Sequence, residues 1–279
     1  MLLKMKTFCL SLPRINLQKI TMMIIKNQKI KNLSSCLFFM MFFSSMQAQD
    51  LSGQEKSNAP AQRWQIGMQG GMGFTLASAK GMEKSLINTG ADEKLARDFC
   101  KQLKWGYQYG ANIHFMLNRR SGLGLKYSGF YTSANSYMIF DPQDAVSYWF
   151  IDMGKRYYIN FIGFSFRTQR YLAHSGKFRL TSDAALGYVH YRDEEEYDYY
   201  WLRNYLLKSS TFGFNLELGI EYSLLNWLSI GASATYFGAW FRKGTLIDEN
   251  NSTTVKFKDL QGNINASRLD FSMGLKFYL

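Results

Sequence analysis

Residues Arg268 to Leu279 alternate without interruption. Leu269, Phe271, Met273, Leu275, Phe277 and Leu279 fall in one phase, and Arg268, Asp270, Ser272, Gly274, Lys276 and Tyr278 in the other. A β-strand sends successive side chains to opposite faces, so this pattern predicts a strand with one apolar and one polar face. The strand runs to the chain end, where segments fray unless tied down. An apolar strand there has to be paired, and closing a barrel is the usual way to pair it.

Seven earlier segments follow the same period of two. The first, roughly 64–76, places Trp64, Ile66, Met68, Met72 and Phe74 in phase. The second, 105–117, runs from Trp105 through Tyr107, Tyr109, Ala111, Ile113 and Phe115 to Leu117. The third, 122–133, carries Leu123, Leu125, Tyr127 and Tyr131. The fifth, 177–190, carries Phe178, Leu180, Ala184, Leu186 and Tyr188. The sixth, 211–224, and the seventh, 227–240, repeat the pattern around Phe214 to Tyr222 and Leu228 to Trp240. The fourth, about 156–167, is irregular: Tyr157, Ile159 and Phe161 share one phase, and Phe164 and Phe166 the other. A bulge near Ile162-Gly163 would reconcile them, because an extra residue flips the phase and glycine tolerates the geometry.

The connections alternate in length. Links at 118–121, 225–226 and around 174–176 are short; those at 77–104, 134–155, 191–210 and 241–266 are long. An up-and-down membrane barrel does this, with short periplasmic turns and long outer loops. The expected fold is therefore all-β: an eight-stranded antiparallel transmembrane barrel with four long extracellular loops.

Alternation alone does not say which face is outside, since a lipocalin-like barrel turns its apolar face inward. Three features favour apolar-out. The opposite phase holds balanced charges and amides, among them Gln65, Gln108, Asn112, His114 and Lys276. It also holds many glycines, which a narrow lumen needs between large residues. Finally, aromatics of the apolar phase sit at strand ends: Tyr107, Tyr131, Tyr188, Tyr236 and Trp240 at one rim, and Trp64, Phe115, Phe178, Tyr222 and Phe277 at the other. Those are the two girdles of a membrane interface.

Composition agrees. Charged residues are 19% of the 279, below the usual 25% or so. No apolar run reaches the roughly 20 residues of a transmembrane helix. The three prolines, Pro13, Pro60 and Pro142, avoid the predicted strands, as an unbroken ladder requires. Near the start, Lys26, Lys29 and Lys31 precede the apolar stretch Leu37–Phe43 and the small or polar residues Ser44–Gln49. That order reads as a secretory signal peptide cleaved after Ala48 or Gln49. The expected organisation is a leader region at 1–49 (with a start at Met22 or Met23 giving an ordinary length), a periplasmic linker at 50–62 and a barrel at 63–279. Leu33-Ser34-Ser35-Cys36 resembles an acylation box, but its apolar stretch follows the cysteine instead of preceding it. Of 33 basic side chains, seven lie in 1–49, which leaves 26 against 21 acidic and a charge of +5 beyond the leader. Nucleic-acid binding thereby loses its electrostatic support. Cys100 is the one cysteine beyond the leader and forms no internal disulfide.

With these residues in view, the chain resembles the small outer-membrane β-barrel domain proteins often labelled porin family, including the PorT-like group, with the eight-stranded OmpA/OmpX architecture. The strongest motif is the C-terminal assembly signal: Ser272, Gly274, Phe277 and Leu279 fill its polar, glycine, aromatic and hydrophobic places. Many relatives end in Phe, so Leu279 departs mildly. The resemblance implies recognition of this strand by the barrel-assembly machinery, and it implies no shared activity.

The polar phase predicts a lumen ion-pair network of Lys126, Arg179, Asp183, Glu217, Glu221, Arg268 and Asp270, since unpaired charges in a narrow interior are costly. No catalytic, cofactor or metal site is expected. His114 falls in the lumen phase, His174 in a periplasmic link and His190 at the lipid-facing rim, with no serine two residues away on its strand. Leu95, Phe99 and Leu103 after Asp92 and Glu93 predict a short amphipathic helix over the barrel mouth. The aromatics of 134–155 (Tyr137, Phe140, Tyr148, Trp149 and Phe150) are expected to pack on a neighbouring loop or to meet a partner. The acidic run Asp193-Glu194-Glu195-Glu196 is expected in a solvated loop. Expected neighbours are outer-membrane lipid and lipopolysaccharide, the assembly machinery and an envelope protein held by the outer loops. The expected role is a loop-displaying scaffold; alternatives are a PorT-like secretion component and a narrow ion channel.

Overall fold

A computed structural model describes residues 63–88, 90–140, 149–172, 177–199, 201–248, 251–257 and 264–279. The leader and linker (1–62), Tyr148 and His174 lie outside them.

The strands are β1 (Trp64–Thr75), β2 (Trp105–Met116), β3 (Ser121–Phe140), β4 (Trp149–Tyr171), β5 (Phe178–Tyr199), β6 (Trp201–Leu225), β7 (Leu228–Phe241), β8 (Lys243–Asp248), β9 (Asn251–Lys256), β10 (Ile264–Asn265) and β11 (Arg268–Tyr278). Antiparallel ladders join β1 through β7 in sequence, β7 pairs with β11, and β11 pairs with β1. The ring is closed and has eight strands. Closure is what the terminal strand demanded: all eleven of its residues are registered against β1, from Arg268 on Thr75 to Tyr278 on Gln65.

The facing is apolar-out. Phe271 is 60% exposed and Leu275 41%, whereas Arg268 and Asp270 are buried. Phe164 and Phe212, at 80% and 81%, face out at mid-strand. An ordinary soluble protein seldom leaves so continuous an apolar belt bare, and hydrocarbon is the solvent that fits it. Aromatic pairs rim the belt. Trp64–Phe115 (5.1 Å), Phe178–Tyr222 (4.9 Å) and Trp227–Phe277 (6.2 Å) mark the end that carries the short turns. Phe74–Trp105 (5.1 Å) and Tyr131–Tyr158 (5.0 Å) mark the other. On β4 the outward face runs from Phe166 through Phe164, Ile162 and Asn160 to Tyr158, and Arg156 comes next; on β5 Arg192, Glu194 and Glu196 follow His190. Those charges place the outer boundary of the hydrocarbon near Tyr158 and His190.

The ladder is unbroken at Gly163, which opposes Lys126 on β3 and Gly187 on β5. The bulge inferred there is absent. The register irregularity among the ring strands lies instead between Ser223 and Leu225 on β6. In consequence Tyr157, Ile159 and Phe161 point inward. With Phe130, Val189, Tyr191, Phe237 and Phe241 they fill the outer half of the lumen with an apolar core. Phe130 fits because Gly73 and Gly106 flank it: a Cβ on Gly106 would lie 2.5 Å from the Phe130 ring, and one on Gly73 2.8 Å. Gly106→Val is expected to lower stability by about 1–3 kcal/mol through overpacking, read as a lower urea midpoint for the refolded barrel.

The long links exist, but much of their length is ladder. β3 to β6 are 20 to 25 residues long, while roughly 9–11 cross a membrane. The excess stands above the membrane as a β-sheet platform. β8 and β9 form a hairpin that extends it, Leu206, Leu207 and Lys208 of β6 pairing with β8. Tyr137 and Phe150 project from the platform and are more than 60% exposed among the described residues.

Two helices fold over the mouth, α1 (Lys80–Asn88) and α2 (Glu93–Gln102). Asp92 caps α2 through Leu95 N–H at 3.0 Å, and Phe99 and Leu103 turn inward, as the spacing predicts. α1 has no comparable signature in the sequence. It ends at Gly90, whose φ of 97° lets Gly90 and Ala91 N–H reach the Ile87 and Leu86 carbonyls at 2.9 and 3.0 Å, a left-handed helix stop. Met82, Leu86, Ala96 and Phe99 of the helices pack on Ala134, Met138 and Met153 of the platform. Cys100 is buried in this seam. Burial, with the Glu83 carboxylate adding to it, pushes its thiol up to about 12. Maleimide labelling of Cys100 is therefore expected to be slow in the folded barrel at pH 8 and rapid after unfolding.

Candidate functional site

Two polar constellations lie inside the ring. The deeper one sits in the lumen at membrane level. Lys126 Nζ contacts Glu217 Oε2 at 2.6 Å and Asp183 Oδ1 at 3.7 Å. His114 Nε2 lies 2.8 Å from Asp183 Oδ2. Gln69 donates to Glu217 at 3.0 Å. Glu221 gathers Arg167, Lys276 and the Tyr278 hydroxyl. Alternation along β1 to β6 and β11 puts each of these groups inward, and the register brings charges level: Asp183 opposes Arg167 on one side and Glu217 on the other.

All seven lumen charges inferred from the sequence are buried here, but they do not form one network. Lys126, Asp183 and Glu217 cluster. Arg268 and Asp270 form a separate pair at 3.0 Å, higher in the lumen. Arg179 rests at the inner end, donating to Ser223 (2.9 Å) and Ser229 (2.6 Å) under the Tyr278 ring, 3.9 Å away. Besides those seven, Arg167 and Lys276 pair with Glu221, and His114 with Asp183. The apparent phase change on β4 hides Arg167 in the sequence; Lys276 and His114 are legible there as polar-phase residues.

Above the Arg268–Asp270 pair comes the apolar plug. The Arg268 guanidinium lies 3.9 Å from the Phe237 ring centroid and 5.0 Å from that of Phe130. Over the plug, roofed by the helices, is a chamber of about 170 Å³. Its charged wall is made by the acidic run, which is not a solvated loop but part of β5. Asp193 and Glu195 point inward to Lys155, with Lys155 Nζ 3.1 Å from Asp193 Oδ2. Glu194 and Glu196 point outward to Arg156 and Arg192. Period-two alternation splits the run into a buried pair and a surface pair. Burial outweighs the Lys155 charge at Asp193 and holds its carboxyl above the usual range; burial likewise holds the Lys155 ammonium below its ordinary value.

The outer membrane protein beta-barrel domain family matches residues 35–277. This chain belongs to that family. It is accordingly an outer-membrane protein, as its lipid-facing belt requires. Solved structures similar to this outer-membrane β-barrel include Neisserial surface protein A (10% identity, covering 77% of this chain and 97% of that one, TM-score 0.38). The outer membrane protease OmpT from Escherichia coli shares 14% identity over 81% of this chain and 100% of that one, TM-score 0.44. OprG from Pseudomonas aeruginosa shares 12% over 79% and 100%, TM-score 0.39. No curated protein is significantly similar in sequence.

The barrel brings histidine, serine and acid together in one place, yet not as a relay. Ser165 Oγ and Asp183 Oδ2 both approach His114 Nε2, each at 2.8 Å. A triad needs acid and nucleophile on opposite ring nitrogens and a route for substrate; His114 is wholly buried. His190 does meet a serine, across the ladder on β6 and not along its own strand: Ser210 Oγ is 3.5 Å from Nδ1. Tyr188 donates to that same hydroxyl at 2.6 Å, which occupies a lone pair. Among the described residues no cluster of three or more His, Cys, Asp or Glu is placed to hold a metal. The assembly-signal residues lie along β11: Ser272 Oγ meets Ser233 Oγ at 2.9 Å, Gly274 crosses Gln69 in register, Phe277 stacks on Trp227 and Leu279 N–H reaches the Trp64 carbonyl at 2.8 Å.

Proposed function

We propose that this protein is a sealed, non-catalytic anchor that holds a β-platform above the outer membrane for contact with another envelope component. The observation that carries the reading is the plug. An Arg268 guanidinium between two phenylalanine rings caps a lumen already filled by ion pairs, and eight strands leave an interior that side chains just fill. That packing counts against the narrow channel. The platform, with exposed Tyr137 and Phe150, is the surface left to act, since outer loops on a rigid scaffold are where such folds carry function. In this reading the 1–49 leader exports the chain, and the assembly machinery reads Ser272, Gly274, Phe277 and Leu279.

Planar-bilayer recording tests the seal. The purified barrel is expected to give no steps above the bare-lipid baseline, and discrete, reproducible steps would overturn the anchor reading. A second arm tests the platform. Envelope proteins co-purified with the intact barrel are compared with those retained by the Tyr137→Ser/Phe150→Ser variant. Loss of a wild-type partner supports the platform; identical sets contradict it. A partner drawn from a secretion apparatus would favour the PorT-like role.

A further inference from the structure

We infer that one sector of the outer rim, on β5, β6, β8 and β9, binds the head of a glycolipid that carries two phosphates and stands in the outer leaflet. The sector lies on the lipid-facing wall, apart from the lumen seal and from Tyr137 and Phe150, so the inference is independent of the anchor reading.

Strand pairing builds the patch. Gly244 of β8 faces inward, where a Cβ would lie 2.6 Å from the Phe257 ring and 3.1 Å from Leu207. Its neighbours Lys243 and Thr245 therefore face out. Phe257 is buried, so Lys256 before it faces out as well. Lys208 lies between the buried Leu207 and Ser209 and opposes Arg192 on β5 and Thr245 on β8. Lys243 directly opposes Lys256. Arg192, Lys208, Lys243 and Lys256 thus stand on four adjacent strands of one outward face. Each of the first three follows a lipid-facing aromatic by three or four positions on its own wall: Arg192 follows Tyr188, Lys208 lies above Phe212, and Lys243 above Trp240. That height, just past the hydrocarbon boundary at Tyr158 and His190, is where lipid heads lie.

The like-charged pairing calls for an anion. Like charges directly opposite one another destabilise a ladder, and Lys243–Lys256 is such a pair, with Lys208 adding a third charge from the next strand. Among the described residues none of these three lysines has an ion-pair partner. Arg242, exposed between β7 and β8, is also unpaired among them. The other outward residues of β8 and β9 are neutral: Thr245, Ile247, Ser252 and Thr254. Glu194, the acid two residues above Arg192, is already engaged by it and lies 3.9 Å from Arg156. The charge is also one-sided. On β1 to β3 the outer rim carries Phe74, Trp105, Tyr107 and Tyr131 instead.

The geometry points to the class of lipid. From β5 to β9 the patch covers three strand spacings, about 14 Å, too wide for one phosphate and suited to a head with two. A phosphomonoester near neutral pH carries close to two charges and strong acceptor oxygens, which lysine and arginine meet with charge-assisted hydrogen bonds. Below the cations Phe212 and Leu186, 81% and 71% exposed, give acyl chains an apolar wall. A soluble polyphosphate would leave that wall unused.

The test uses the full barrel in mild-detergent micelles, with native mass spectrometry and synthetic lipid A bearing both phosphates as the probe. Its fully dephosphorylated form keeps the chains and sugars without the charge, and phosphatidylglycerol supplies a single phosphodiester. One saturable adduct is expected, half-saturating at a concentration at least tenfold below that of either comparator. Lys243→Ser/Lys256→Ser is expected to raise the half-saturation point tenfold or more. Lys80→Ser/Lys84→Ser removes the same charge from exposed positions of α1 and is expected to leave it unchanged. Heat-dependent gel mobility qualifies each variant as folded; should the β8–β9 variant fail to fold, Lys208→Ser and the comparator lipids decide the matter. Absence of a saturable adduct on the folded wild-type barrel would overturn the inference. So would either comparator binding as tightly as the probe, unchanged binding by the Lys243→Ser/Lys256→Ser variant, or an equal loss in the α1 variant, which would reduce the effect to overall charge.

Discussion

Glu221→Ala is expected to destabilise the barrel by about 3–5 kcal/mol, the effect of breaking a buried pair by removing one partner. Glu221 is the shared acceptor for Arg167, Lys276 and the Tyr278 hydroxyl. Its loss leaves two cations facing one another in a space that water barely enters. Arg167 is fully enclosed and has no lateral escape. Urea titration of the barrel refolded into lipid vesicles checks the magnitude. The double variant Glu221→Leu/Lys276→Leu should recover part of the loss, because an apolar pair of similar volume removes both a charge and its partner. A Glu221→Ala barrel as stable as the parent would show that the lumen is hydrated well enough to screen its charges.

Phe164→Arg is expected to lose about 2–4 kcal/mol, the range for arginine on the lipid face near the bilayer midplane. Phe164 is 80% exposed in the protein alone and sits halfway along the outward belt of β4. The comparison that isolates the bilayer is Arg156→Phe against Phe164→Arg on the same strand face. Arg156 lies above the boundary drawn at Tyr158 and pairs with Glu196 at 3.1 Å, an exposed contact that is worth little. The first change should leave the urea midpoint close to that of the parent, while the second should lower it and slow insertion into vesicles. Equal effects at both positions would show that hydrocarbon does not set the cost.

Ring size, strand order and facing are legible in the chain because a period of two survives wherever one face meets lipid and the other a packed polar interior. The terminal strand is the plainest case: each of its apolar residues faces out and each of its charges faces in. β4 misleads for a physical reason. Its inward residues near the mouth are Tyr157, Ile159 and Phe161, and its outward ones are Phe164 and Phe166. Both faces there are apolar, since the lumen changes from ion pairs to an aromatic plug partway up, and a phase reading that equates apolar with outward then invents a bulge. The acidic run fails in the opposite way. Four successive carboxylates look like solvated loop until Lys155, some forty residues earlier in sequence, arrives from the neighbouring strand. His190 and Ser210 show the same blindness, being adjacent only through strand pairing. The chamber wall depends on such cross-strand company, so the place of Asp193 is not legible in advance; of the roof, α2 is legible from its spacing and α1, a weakly patterned helix, is not.

β11 is held on both edges, by β1 from the opposite end of the barrel's chain and by β7. More than two hundred residues separate Gln65 from its partner Tyr278, so the contact that completes the cylinder is also the most distant in sequence and the last of the ring to be synthesised. Until it forms, two rows of backbone donors and acceptors stand open in a setting without water to satisfy them. Partial barrels are thereby excluded as resting states. A chain cut short before β11 keeps two open edges, on β1 and on β7, whose backbone groups hydrocarbon cannot satisfy, so this one strand makes the stability of the whole ring all-or-none.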